Sequence, residues 1–292
     1  MNLRNLPLEI QRLAALPYDP VQIEELNYLE MGIGQQHIPA LIEVAQNGPD
    51  FWGDDASDEE YIMPMHAWKA LTQLKAEQAI PVLIDTLKWI DDEGGELIQE
   101  ELPQLFGRFG TTALPQLTDY LFNQQNEVWA RLAASEAIQS IALQNPEARE
   151  EVVDILKRAL ERYPEEEPTY NAFLIEYLAN LNAVETADLV ETVYQANRVD
   201  EAILGDWEDF QVAVGLLKQR KSPRQQRSLF KQGFSDGLTD EELIMTSPYP
   251  FDGSLDPEDK KERKQETKAE KKEKSKRKEA KTTRKKNRKK KK

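Results

Sequence analysis

The sequence predicts an all-α fold: a stack of helical hairpins forming an α-solenoid, followed by a disordered basic C-terminal tail. Three observations predict it. One phrase recurs five times, a second helical pattern stands ahead of each copy, and no useful length of chain alternates apolar and polar residues with the two-residue period of a strand.

The recurring phrase is HIPALIEVA (37–45), AIPVLIDTL (79–87), ALPQLTDYL (113–121), VVDILKRAL (152–160) and TADLVETVY (186–194). Its central positions are read as Leu41, Leu83, Leu117, Leu156 and Leu189, at intervals of 33 to 42 residues. Ile80, Leu83, Ile84 and Leu87 follow the i, i+3, i+4, i+7 spacing of one buried stripe. Pro39, Pro81 and Pro115 stand near the helix starts, where a missing N–H costs nothing. The preceding helices are predicted at 20–33, 63–74, 97–110, 127–143 and 169–181, and a sixth unit closes with 199–220. Periods of this length are the mark of repeat architectures.

The AIPVLIDTL and ALPQLTDYL helices, each behind a partner such as ARLAASEAIQSIA, resemble bacterial HEAT-like repeats of the phycobilisome-lyase type over about residues 20–217. GDWEDFQVAVGLL also resembles the closing segment of an uncharacterised group of such proteins. The resemblance implies a helical scaffold whose second helices line the inner surface. It specifies function poorly, because such arrays serve unrelated tasks.

The repeats are expected to occupy residues 1–220, with an acidic insertion loop at 47–62. A partly ordered cap and linker is expected at 221–256, where Thr239 and Glu242 form a capping-box pattern. From 257 to 292 apolar residues vanish, and the segment cannot bury enough surface to offset the entropy of ordering it. The formal net charge of −15 conceals a division: residues 257–292 hold 20 Lys+Arg against 7 Asp+Glu, and residues 1–256 hold 18 against 46. An acidic body therefore carries a basic arm.

With no cysteine, disulfides, thiolate zinc sites and a cysteine nucleophile are excluded. No signal peptide or membrane span is read, so a cytoplasmic protein is expected. The loop acids Asp50, Asp54, Asp55, Asp58, Glu59 and Glu60 lack EF-hand spacing, and His37 and His66 lie in no H-E-x-x-H motif. GIGQQH and GRFG complete no phosphate-loop fingerprint. Neither a cofactor nor a metal is expected, and no catalytic residue is assigned.

Two residues beyond the aligned leucines stand Glu43, Asp85, Asp119, Arg158 and Glu191, turned away from the apolar stripe. Two readings stay open for the four carboxylates: an acidic groove for a basic partner, or a solvated face. In GDWEDF, Trp207 and Phe210 pack the final repeat, while Asp206 and Asp209 with Trp207 are candidate partner-binding residues. In the tail, Lys276, Arg277, Lys278, Lys281, Arg284, Lys285, Lys286, Arg288, Lys289 and Lys290 suit phosphate neutralisation. No aromatic follows Phe251, so base stacking from the tail is excluded.

The expected function is a non-enzymatic scaffold or adaptor that binds a protein partner on its repeats. The tail is expected to associate weakly with RNA, ribosomes or another polyanion, or to touch the acidic body of its own chain. The resemblance implies one alternative, a phycobiliprotein lyase or chaperone acting on a client.

Overall fold

A computed structural model describes residues 5–16, 26–46, 62–90 and 95–222. The chain divides into units Met1–Pro223 and Arg224–Lys292. The second unit lies outside the described residues, and with it the 239–242 capping box and the basic tail. The acidic loop at 47–61 lies outside them too.

All regular structure among the described residues is helical. A short α1 (Leu8–Gln11) leads to α2 (Ile38–Gln46), α3 (Met63–Gln73), α4 (Ile80–Thr86), α5 (Gly95–Phe109) and α6 (Leu114–Phe122). Then come α7 (Val128–Gln144), α8 (Arg149–Leu160), α9 (Pro168–Asn180), α10 (Ala187–Gln195) and α11 (Trp207–Ala213). The first helices α3, α5, α7 and α9 alternate with the second helices α4, α6, α8 and α10, and α2 completes the earlier pair. Each first helix packs on the next first helix, and α2, α4, α6 and α8 pack successively on one another.

Every second helix is entered through one turn of 3₁₀ helix, at Gln35–His37, Glu77–Ala79, Gly110–Ala113, Pro146–Ala148 and Val184–Thr186. The chain must reverse within a few residues, and left-handed residues (Gly32, Lys75, Gly110 and Asn182) make that reversal at four of these five entries, whereas Asn145 keeps a negative φ at the fifth. At Gly32 (φ 87°), Lys75 (φ 49°) and Asn182 (φ 50°), the following N–H bonds the carbonyl five residues back, which closes a Schellman motif. Gly32 suits that conformation without penalty, whereas Lys75 adopts it at a cost offset by the two hydrogen bonds it completes.

These entries fix a register that differs in two places from the leucine alignment. Four residues into the second helices stand Leu41, Leu83, Leu117, Val152 and Val190, all fully buried. Leu156 lies one turn further on, and Leu189 one residue too early. The alignment slipped because α8 and α10 lack the proline that marks the other starts. Residues 26–34 also differ from the expected helix, since Tyr28–Gly32 form a hydrogen-bonded turn. In the sixth unit only Trp207–Ala213 is α-helical among residues 199–220.

The core runs continuously through these layers, with Tyr28, Trp68, Phe106, Tyr170 and Phe210 fully enclosed. Helix α7 sits at its centre. Its alanine-rich sequence is buried nearly all round, because α5, α6, α8 and α9 each cover part of it.

Candidate functional site

On the second helices, Glu43, Asp85 and Asp119 occupy one register and are exposed. The corrected alignment continues this column with Asp154, also exposed, rather than with Arg158. Arg158 stands one turn on, paired to Asp154 at 3.2 Å with its guanidinium over the Phe122 ring. Glu191 leaves the column: Thr192 takes the equivalent position, and Glu191 is half-buried. Asp85 is paired with Lys88 at 2.7 Å. A hollow of about 340 Å³ opens between α4 and α6, lined by Pro81, Ile84, Gln116, Asp119 and Tyr120. Burial there, with Asp85 nearby, pushes the Tyr120 hydroxyl up to about 12, so it stays a neutral donor.

At the far end of the repeats, Trp207 stacks on the enclosed Phe210 with ring centroids 5.5 Å apart. Asp206 is the N-cap of α11: its carboxylate accepts from the backbone N–H groups of Glu208 and Asp209. Asp209 Oδ2 returns the bond to Asp206 N–H at 3.0 Å, completing a capping box. Gly205 (φ 104°) is required here, because a Cβ would fall 2.1 Å from Asp209 Oδ2. Arg220 then grips both acids, donating to Asp206 at 2.7 and 2.6 Å and lying 2.6 Å from Asp209. That guanidinium and the capping N–H groups hold the Asp206 carboxyl below its usual range. Asp206 and Asp209 thus already have partners within the chain. Asp206→Ala is expected to cost about 1 kcal/mol through loss of the cap, read as a lower urea midpoint, whereas Asp206→Asn keeps a capping oxygen.

The first helices carry a polar seam that the repeat pattern did not announce. His66, on α3, is fully enclosed and bonds the Tyr28 hydroxyl through Nδ1 at 2.7 Å. Burial, with Lys69 one turn away, lowers its pKa to about 4, so the ring is neutral. Lys69 is itself 2% exposed and reaches across to Glu101 of α5 at 2.7 Å. Further along, Glu136 of α7 and Glu176 of α9 are both half-buried. Burial, with Glu176 close by, pushes Glu136 up to about 7, and burial raises Glu176. Counted back from residues 75, 110, 145 and 182, Glu101 and Glu136 share one register, and Lys69 and Glu176 another. That alignment of first helices was the available signal.

The N-terminal ends of α7 and α9 enclose a cleft of about 250 Å³ lined by Glu127, Trp129, Leu132, Glu167, Thr169 and Tyr170. Beneath it Arg131 and Glu166, both 6% exposed, form a two-bond ion pair at 2.8 and 2.7 Å. The Arg131 guanidinium also lies 4.7 Å from the centre of the Tyr170 ring. Neither Glu166 nor the cleft was marked by the repeat pattern, since the pair is separated by 35 positions.

Among the described residues, no group of three or more acidic or histidine side chains could hold a metal ion, and no helix is long and apolar enough to cross a membrane. A family model described as "Protein of unknown function (DUF1186)" matches residues 11–229, most of the chain, and ends before the Lys/Arg-rich segment. That match names neither HEAT repeats nor phycobilisome lyases. No curated protein and no solved structure matches the chain.

Proposed function

The chain belongs to DUF1186, a family of proteins of unknown function, and from that premise we propose that it is a non-enzymatic interaction scaffold, an α-solenoid that holds a basic segment of a partner protein across its second helices. The observation that supports this reading is the column Glu43, Asp85, Asp119 and Asp154, repeated at one register on four successively packed helices. Packed helix axes lie about 8–10 Å apart. A polyproline II segment has three residues per turn and rises about 3.1 Å per residue, so a basic residue at every third position faces the column and keeps step with it. The hollow beside Asp119 and Tyr120 gives such a segment room for an apolar side chain. We further propose that the segment 257–292, with its 20 Lys+Arg, associates weakly with RNA or another polyanion without reading sequence.

A direct test measures binding of an extended peptide with lysine at every third position. Asp85→Asn/Asp119→Asn is expected to weaken it about tenfold at low salt, since charge pairs at such surfaces set binding and its salt dependence. A scrambled peptide of equal charge that binds as well as the ordered one would count against the column.

A further inference from the structure

We propose that the cleft between the N-terminal ends of α7 and α9 is a separate binding site for a single lysine side chain of a partner polypeptide. The charges around it identify the ligand. Glu127 and Glu167 are the N-cap residues of the two helices, yet neither side chain caps its helix. Among the described residues no ion pair engages either carboxylate, and both residues are exposed. Of the other charges near the cleft, Arg131 and Glu166 cancel in their own two-bond pair, and Arg198, which donates to the Glu166 backbone carbonyl, is matched by Asp200, which accepts from Thr169. The cleft therefore carries an uncompensated negative charge, and its ligand is a cation.

The walls narrow the choice of cation. Trp129 is 43% exposed at the cleft and is held by an edge contact with Phe173 at 6.2 Å. Indole is the strongest side-chain partner for a cation over its face. Tyr170 is already occupied by the Arg131 guanidinium, so Trp129 is the ring left for a ligand. Thr169 donates its hydroxyl proton to Asp200 Oδ2 at 3.2 Å, which leaves its oxygen free to accept. Glu127, Glu167 and Thr169 thus offer three acceptors, matching the three donors of an alkylammonium group. Trp129 and Leu132 supply apolar surface for the methylene stem of lysine. A quaternary ammonium would leave the acceptors unused.

Two helix N-termini also meet here, and their dipoles favour anions. The two carboxylates outweigh them, because each helix end amounts to roughly half a charge. The cleft sits on the first helices, so this site stands independently of the second-helix column.

The test titrates the full-length protein with a blocked tripeptide carrying one central lysine, its Nε-acetylated counterpart, and inorganic phosphate, using calorimetry or ligand-observed NMR. The lysine peptide is expected to bind and the acetylated peptide to bind at least tenfold more weakly. Trp129→Leu and Glu127→Gln/Glu167→Gln are each expected to weaken the lysine peptide about tenfold, with circular dichroism and Tm checking that both variants fold. Glu150→Gln/Glu151→Gln, exposed in the first turn of α8 and outside both proposed sites, is expected to leave this binding unchanged. Equal binding of the acetylated peptide, phosphate binding in place of lysine, or a change under twofold in both cleft variants would overturn the assignment.

Discussion

Replacing Glu166 with alanine is expected to destabilise the fold by about 3–5 kcal/mol, the range for removing one partner of a buried ion pair. Both side chains are almost wholly enclosed, and Glu166 takes both terminal nitrogens of Arg131. Without the carboxylate, the guanidinium keeps its charge, because no arginine gives up its proton in a protein. It would retain the Tyr170 ring as a compensating contact. The pair is not fully satisfied even in the native chain, since Arg131 Nε is buried without a hydrogen-bond partner among the described residues.

That missing bond sharpens the expectation. A hydrophobic replacement of both members, Arg131→Met/Glu166→Leu, is expected to be much less destabilising than Glu166→Ala alone, because it removes the unpaired charge along with its partner. Urea unfolding of wild type, Arg131→Met, Glu166→Leu and the double variant measures the coupling. A loss below about 1 kcal/mol for Glu166→Ala would show that the pair contributes no more than an exposed one.

The pattern of the fold was legible wherever local chemistry repeats. Pro39, Pro81 and Pro115 mark helix entries, and the apolar stripe of AIPVLIDTL becomes the buried Ile80, Leu83, Ile84 and Leu87. The register failed where that punctuation is missing: α8 opens on Arg149, Glu150 and Glu151, so Leu156 stood in for Val152. Gly205-Asp206-Trp207-Glu208-Asp209 contains a readable N-cap, but Arg220, which holds its acids, lies eleven positions further on. The seam and the cleft were not legible for the same reason. Lys69 with Glu101 and Glu136 with Glu176 are made by packing one first helix on the next, and Arg131 of α7 meets Glu166 in the turn that precedes α9. Their members are more than thirty residues apart, so no window of one or two turns contains both.

Glu136→Gln is expected to stabilise the protein at pH 8 and to leave it nearly unchanged at pH 4.5. The folded chain holds the Glu136 proton up to about pH 7, whereas an ordinary glutamate releases it near 4.5. Between those limits the folded state binds more protons than the unfolded one, so wild-type stability falls as pH rises through this window. Above pH 7 the whole penalty is present. At about 1.4 kcal/mol for each pH unit between the two values, it amounts to roughly 3 kcal/mol. Glutamine occupies the same volume without a charge to desolvate, and it relieves Glu176 of a like-charged neighbour. Urea midpoints at pH 5, 6, 7 and 8 should therefore diverge steadily between wild type and variant, with the variant keeping the slope that the raised Glu176 contributes. If the two curves stay parallel, the carboxyl is solvated in both states and Glu136 titrates like any surface glutamate. A divergence that shrinks in Glu176→Gln would assign part of the penalty to the pair rather than to burial of Glu136 alone.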